Sequence, residues 1–577
     1  FVQNFLDSTS LTTAARVGPV LDFSRGTGAL QFDANGHAVW GPENFFPWSE
    51  DFVQGFWTKQ NVTIASDVTI AYNGKTTADT IIPTTNNSSL HRIISNSPYS
   101  GVSIRYIVRA KSAGYPQLAL RESRVSRGST VVFNLQNGVV DGSNNNAPGV
   151  TITEKNISDL GNGWYECAAT FNDASTDTLQ DFGIYVIDGS WTSGDAESVS
   201  YAGDGTSGIH IIEAQRFRTP NASTAYVKTT GTPYYGARFD HDPATGEPLG
   251  LLVEDSATYE LRNSRDLSAA DWDTTGAAIA QDQVGLDGNA NTGWSVTGDD
   301  ATQNLTVTDD SATHTLVFPI RKNGDDTRMF AQFTGGTTTL DYQADLDVSA
   351  GTVTAGGDAA SSDLEVRDWG DFWMVAISAA NNGTGNTTLT YGFRPVTLSE
   401  TAKYDNGAIH LNRSVAPVSP PMPTGSSAVT RAADSVSTTD VSWLEGSVGT
   451  FVVGHRSGPV PEGWILAGDS NRRFSYMFND NIMNAFDGDN VLSILNSFDA
   501  NTEVTFAVAW DTTSQASFAD GGSVSNASHN GNYNTLTKLG IGQRNDGGKQ
   551  INGHIAGVTY YPVRLSDAEL QSKSSST

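Results

Sequence analysis

The sequence predicts an all-β chain of antiparallel sandwiches, and three observations carry that prediction. Short runs of β-branched and aromatic residues stand between turn signals along the whole length, only two stretches carry helix signals, and one pattern of Trp, Gly and Asp spacings occurs twice.

The strand signal is local. Runs such as Ser103-Ile104-Arg105-Tyr106-Ile107-Val108 and Val504 to Trp510 are bounded by Gly, Asn, Asp and Ser, which is the composition of strands that bury one face and end in tight turns. The helix signals are Ser268 to Trp272 and Ser566 to Gln571. The second opens on Ser566-Asp567-Ala568-Glu569, where the Ser and Glu side chains are spaced to satisfy each other's backbone donors.

The repeat sets the domain plan. Ser49-Glu50-Asp51-Phe52 with Trp57 is answered by Ser264-Arg265-Asp266-Leu267 with Trp272, with a Ser-to-Trp spacing of eight in each case. Asn73-Gly74 is answered by Asp287-Gly288, both tight-turn dipeptides. The segment Asp159 to Tyr165 matches Asp368 to Met374, and Gly208-Ile209-His210-Ile211 matches Ala408-Ile409-His410-Leu411. These matches predict two copies of one jelly-roll sandwich, residues 41–231 and 251–426, with Trp164 and Trp373 on corresponding strands and His210 and His410 at equivalent places. Residues 1–40 then read as an N-terminal attachment or linker segment, 232–250 as a Gly- and Pro-punctuated connector, and 427–577 as a third sandwich. A second connector, residues 416–427, is stiffened by four prolines.

Composition narrows the function. Thirty-four basic residues face 63 acidic ones, a net charge of −29, which repels nucleic acid and anionic lipid. No stretch approaches the roughly 18 consecutive apolar residues that span a bilayer, so membrane insertion is not expected. The single cysteine, Cys167, rules out an intrachain disulfide and a cysteine-built zinc site, and its alternating neighbours Trp164 to Ala169 place it in a core. The chain opens on Phe1 rather than Met, which suits a processed or ordered portion of a longer protein.

Candidate chemistry is sparse. A glycosidase needs two carboxylates about 5–10 Å apart, and acids that could supply them by proximity are common here: Glu43, Glu50 with Asp51, Asp240 with Asp242, Asp487 with Asp489. None stands in a catalytic signature, so a non-enzyme is expected. The nine histidines form no metal-ligand run. Phe486-Asp487-Gly488-Asp489-Asn490 offers oxygen ligands to Ca²⁺ and equally reads as an ordinary turn; no other cofactor is indicated. Trp57 with Trp272 and Trp164 with Trp373 recur, which assigns them to cores. The unrepeated Trp48, Trp191 and Trp464 remain as rings for stacking on a sugar face, although general burial tendencies favour a buried Trp464.

Four phrases carry a resemblance: Trp48-Ser49-Glu50-Asp51-Phe52, Gly203-Asp204-Gly205-Thr206-Ser207-Gly208-Ile209, Phe239-Asp240-His241-Asp242-Pro243 through Leu251-Leu252-Val253-Glu254, and Ala428-Val429-Thr430-Arg431-Ala432-Ala433-Asp434. In this order they resemble a widespread group of bacteriophage tail-fibre and structural proteins. The second copy departs from the pattern, with Lys403-Tyr404-Asp405-Asn406-Gly407 standing for the 203–208 turn. Residues 504–510, 539–542 and the ending Ile551 to Leu570 resemble a laminin-G or concanavalin-like lectin sandwich. The resemblance implies a virion surface protein, a tail fibre or receptor-binding appendage that recognises bacterial surface glycans, assembles with other phage tail or virion proteins and forms a homotrimer. A capsid fibre or tail spacer that binds nothing is the alternative, and a polysaccharide depolymerase the least favoured reading. The lectin-like likeness places the expected ligand site on rim loops carrying Arg456, Trp464, Asp487, Asp489 and Arg544.

Overall fold

A computed structural model describes the chain apart from residues 1, 7, 9, 12–14, 18, 19, 89, 96–102, 125, 126, 148, 174–180, 459–461, 470, 471, 479–481, 487–490, 498–501, 521, 523, 530–535, 545, 576 and 577. It is an all-β chain of antiparallel sheets. It divides into two compact units: Pro42–Tyr235, and Phe1–Gly41 together with Gly236–Thr577.

The first unit is one sandwich of two six-stranded sheets. One sheet runs in the order Val150–Gly161, Trp164–Asp173, Ser103–Ala113, Gly208–Arg218, Thr76–Pro83, Val62–Ile70; the other runs Val139–Asn144, Arg127–Asn134, Gln117–Arg124, Asp181–Ile187, Arg92–Ser95, Trp57–Gln60. Alternate residues of both sheets meet in one core, where Tyr106 stacks on Phe182 with ring centroids 3.9 Å apart and Cys167 is buried as expected.

The second sandwich repeats this topology. Its larger sheet runs Leu364–Trp369, Phe372–Ala380, Thr313–Arg321, then Thr401–Tyr404 with Ala408–His410, then Gly293–Gly298 and Ala277–Gln283. Its smaller sheet runs Thr352–Gly357, Leu340–Asp347, Thr327–Thr334, Thr388–Pro395, Ala301–Thr306, with the sixth position reduced to an Asp273–Thr302 bridge. The strands of the two six-stranded sheets thus have counterparts in the same spatial and chain order, the last of them surviving only as that bridge.

Register refines the alignment. The hairpin pairs are Gly161 with Trp164 and Trp369 with Phe372, so Trp164 corresponds to Phe372, and Trp373 to Tyr165. The two Trp residues lie on corresponding strands, one position apart. The histidine match fails: Ala110 faces both Tyr165 and Ile211, and Ile320 faces both Trp373 and Tyr404. Ile211 therefore corresponds to Tyr404, which puts His410 level with Phe217 rather than His210. Likewise residues 405–407 answer the bulge at Ile212 to Ala214, not the 203–208 turn; Glu213 and Asn406 both take positive φ there, 55° and 45°.

The expected five-part domain plan changes at two places. Val2–Asn4 from the supposed attachment segment pairs with Gly553–Tyr561, and so does Pro248–Val253 from the supposed connector, itself in a hairpin with Arg238–His241. Asp22–Ser24 joins the opposing sheet through Ser435–Thr438. Strands from both segments are therefore built into the C-terminal sandwich, and Phe5, Leu21, Phe239, Leu251 and Val253 share its core with Phe451, Trp510 and Tyr560. The Pro and Gly of residues 243–246 punctuate a hairpin turn, closed by Gly246 N–H on the Asp242 carbonyl at 2.7 Å.

Two of the four phrases that carried the resemblance, 239–254 and 428–434, meet in this unit. Arg25 and Arg238 donate to opposite oxygens of Asp434 at 2.8 and 2.6 Å, and Arg238 also reaches Glu254 at 2.9 Å, all with side chains at most 1 % exposed. Glu254 further accepts the backbone N–H of Val418 and Ser419, and the neighbouring Arg guanidinium groups hold its carboxyl far below the usual range despite burial. Five sequence-distant segments are tied by one buried ion network, which becomes costly if any member is removed singly.

Of the two helix signals, only the second yields a helix. Asp567–Ser574 is α-helical, with Ser566 and Glu569 forming the anticipated capping box. Residues 268–272 form turns, closed by Asp266 and Ala269 carbonyls, because Trp272 is drawn into the sandwich core.

Candidate functional site

Of the five residues expected to form a C-terminal site, the structure describes Arg456, Trp464 and Arg544, and these three do not come together as one site. Trp464 lies inside the strand Glu462–Asp469, not in a turn, and is 2 % exposed beneath the Arg544 guanidinium, whose centre is 5.6 Å from the ring centroid. A sugar cannot stack on a ring so covered, so the platform role is corrected to packing. Arg544 also pairs with Asp546 at 2.5 Å, while Arg456 lies in the other sheet and faces Glu503 at 3.6 Å. Asp487 and Asp489, and with them the Ca²⁺ candidate, fall outside the described residues. Trp191 is 5 % exposed, packed on Ala119, Val132 and Tyr185.

Trp48 is different. It is half-buried at the rim of a cleft of about 280 Å³ in the first sandwich, lined by Glu50, Asp51, Asp67, Asp79 and Lys228. A corner of the fold holds the wall in place. Ser49 and Thr229 bond reciprocally, Ser49 N–H to the Thr229 hydroxyl at 3.1 Å and Thr229 N–H to the Ser49 hydroxyl at 2.9 Å. The Trp57 indole donates to the Trp48 carbonyl at 3.1 Å. The Trp48 ring rests near Gly231, where a Cβ would stand only 3.2 Å from it, so a glycine is needed there both for room and for its φ of +98°.

The floor is Asp79, 1 % exposed. Its oxygens accept the backbone N–H of Phe52 and of Asp67, each at 3.0 Å. It makes no ion pair among the described residues. Burial, with Asp67 and Asp51 close by, pushes its carboxyl upward despite those two bonds. Lys228 is already paired with Glu50 at 2.6 Å.

The second sandwich builds the same corner from other residues. Ser264 and Thr424 make the same reciprocal bonds at 3.2 and 3.0 Å, and Trp272 donates to the Asn263 carbonyl at 3.0 Å. Asn263 thus answers Trp48, and both take positive φ, 46° and 57°. Asn tolerates that backbone, whereas an aromatic side chain pays about 1–2 kcal/mol for it. On the ladder, Asp79 faces Ile211 and Trp294 faces Tyr404, so the buried carboxylate stands where the second copy buries an indole. Two residues that each destabilise the fold meet at one cleft. That coincidence marks it as the candidate site. The repeat held the signal: Trp48 is unrepeated, and Asp79 interrupts the apolar register of Ala78 to Ile82.

No family model matches the chain, and no curated protein matches it in sequence. Solved structures align with parts of the chain at low scores. A carbohydrate-binding module of family 40 from the Ruminococcus gnavus IT-sialidase aligns at 17 % identity over 23 % of this chain and 84 % of that one, TM-score 0.20. The tandem CBM22 domains of Paenibacillus barcinonensis Xyn10C align at 10 % identity over 67 % and 100 %, TM-score 0.18. Domains LG4-5 of mouse laminin α1 align at 11 % over 50 % and 92 %, TM-score 0.16. At these scores the likeness does not bear on what this chain binds.

Proposed function

We propose that this chain is a non-catalytic glycan-binding protein of a bacteriophage surface appendage, a tail fibre or receptor-binding protein, acting as a homotrimer beside other virion proteins. The observation that carries the binding reading is the pairing of Trp48 and Asp79 at one cleft, two choices that cost stability and that the second sandwich avoids. A half-exposed ring beside several hydrogen-bonding groups is how proteins hold a sugar. The phage reading is supported by the four ordered phrases and by an acidic chain with one cysteine. Single sites of this size bind weakly, about 4 kcal/mol for a millimolar constant, so adhesion draws on several copies.

The test is binding of the full chain to purified host envelope polysaccharide, with Trp48→Asn alongside. Binding that falls at least tenfold in the variant supports the site; a full chain that binds no polysaccharide favours a structural spacer. Light scattering of the intact protein showing a monomer at micromolar concentration overturns the trimer, and immunogold labelling of virions without signal overturns the location.

A further inference from the structure

The chemistry of the Trp48 cleft restricts which sugar it accepts. Asp79 is a fully buried carboxylate with no cation in ion-pair range among the described residues. Two cations stand nearby: Lys228 is paired with Glu50 at 2.6 Å, and Lys59, whose charge is felt by Asp79 and Asp51, pairs with neither and donates to the carbonyls of Val53 and Gln54 at 2.6 and 2.7 Å. Asp51 and Asp67 line the same cleft and add negative charge. A buried carboxylate lacking a counter-charge is stabilised by whatever supplies one. A metal does not fit, because among the described residues no three acidic, His or Cys side chains converge as ligands.

We propose that the cleft selects a sugar bearing a free, protonated amine, its ammonium facing Asp79 with Asp51 and Asp67 around it and its ring against Trp48. The inference rests on the glycan-binding reading and narrows it. An acidic sugar meets three carboxylates there and is rejected; an N-acetylated sugar loses the charge that Asp79 lacks. Cation–π attraction from Trp48 adds to the preference.

Titration calorimetry of the full chain with chitosan oligosaccharides, chitin oligosaccharides and a sialyl-oligosaccharide at pH 6 separates the cases, since the first two differ in the acetyl group. Chitosan binding at least about tenfold tighter than chitin, the equivalent of one ion pair, and no sialyl binding is the expected result. Asp79→Asn should abolish the preference, and Asp51→Asn, further from the core, should halve it or more while keeping the fold. Equal binding of chitosan and chitin, lost in Trp48→Asn, overturns the amine inference and leaves the glycan site standing. No binding of any of the three overturns the inference, while the envelope polysaccharide result then decides the broader reading. A preference unchanged in both Asp variants also overturns it.

Discussion

The two repeated sandwiches share a topology strand for strand and yet solve the same problems with different residues. Each places a guanidinium beside the bulge of its fourth sheet position. In the first, Arg109 comes from a central strand and pairs with Glu213 and Glu166, both at 2.7 Å. In the second, Arg265 comes from the corner loop and holds Asp405 and Asp287, each at 3.0 Å. The outer faces of the smaller sheets differ too. Residues 188–207 of the first copy drape Trp191 and Ala196 over that face and set Asp195 and Glu197 against Arg121 and Arg92, each pair at 2.6 Å, while residues 396–400 of the second merely turn. Topology and apolar alternation fix the frame; the corner where Ser meets Thr is free to hold a closed indole or an open acidic cleft.

The largest test of this contrast lies in the closed copy. Trp294→Ala should cost about 3–5 kcal/mol by leaving a cavity, and Arg265→Ala a similar amount because it strands the fully buried Asp405. Arg109→Ala should cost less, since its partner Glu166 is partly exposed and the buried Glu213 keeps hydrogen bonds from Tyr72 and Asn73. Denaturant midpoints followed by hydrogen exchange on Thr401–Tyr404 and Gly208–Arg218 read the two copies separately, and equal losses for the two Arg variants contradict the contrast.

Acid should also separate the units. Burial lowers His410 to about 3 and His455 to about 4. A base depressed on folding contributes stability that is present above its unfolded value, about 6.5, and lost as pH falls towards the folded values. The unit holding these residues should therefore weaken steadily below about pH 6.5, and His410→Phe, the residue found at the equivalent position of the first copy, should flatten that slope in a pH series of unfolding midpoints. Asp79 works in the opposite sense: its raised carboxyl makes the first sandwich gain stability as pH falls through the raised value.

Smaller effects come next. Ser49→Ala and Ser264→Ala each remove one half of a reciprocal pair and should cost about 1–3 kcal/mol, alike within error by chemical denaturation. Trp48→Asn should change stability by less than about 1 kcal/mol, in the stabilising direction, because the backbone strain it relieves is offset in part by the packing lost with the half-buried ring; a large loss would mean that Trp48 holds the fold rather than a ligand.

Much was legible in the residues themselves. Alternation and turn signals announced an all-β chain, the Ser-to-Trp spacing announced the repeat, and Ser566 with Glu569 announced the terminal helix, because each of these is decided by neighbours a few positions away. The histidine match misled because short similar phrases recur by chance in a chain rich in Gly, Ile and Thr, and only ladder partners reveal true register. Trp464 stood as a candidate ring because it is unrepeated, and only the fold shows that Arg544, eighty residues later in sequence, covers it.

The sequence by itself determined the class of fold, the duplication and the absence of disulfides, since composition and periodicity suffice for those. Tertiary structure alone decided that Val2–Asn4, Asp22–Ser24, Arg238–His241 and Pro248–Val253 are strands of the C-terminal sandwich, that Arg25, Arg238, Glu254, Arg431 and Asp434 share one buried cluster, and that Trp48 and Asp79 line one cleft. The physical reason is common to all three. Strand partners and counter-charges are chosen between segments hundreds of residues apart, where the energy of a contact depends on burial and geometry that no local pattern encodes.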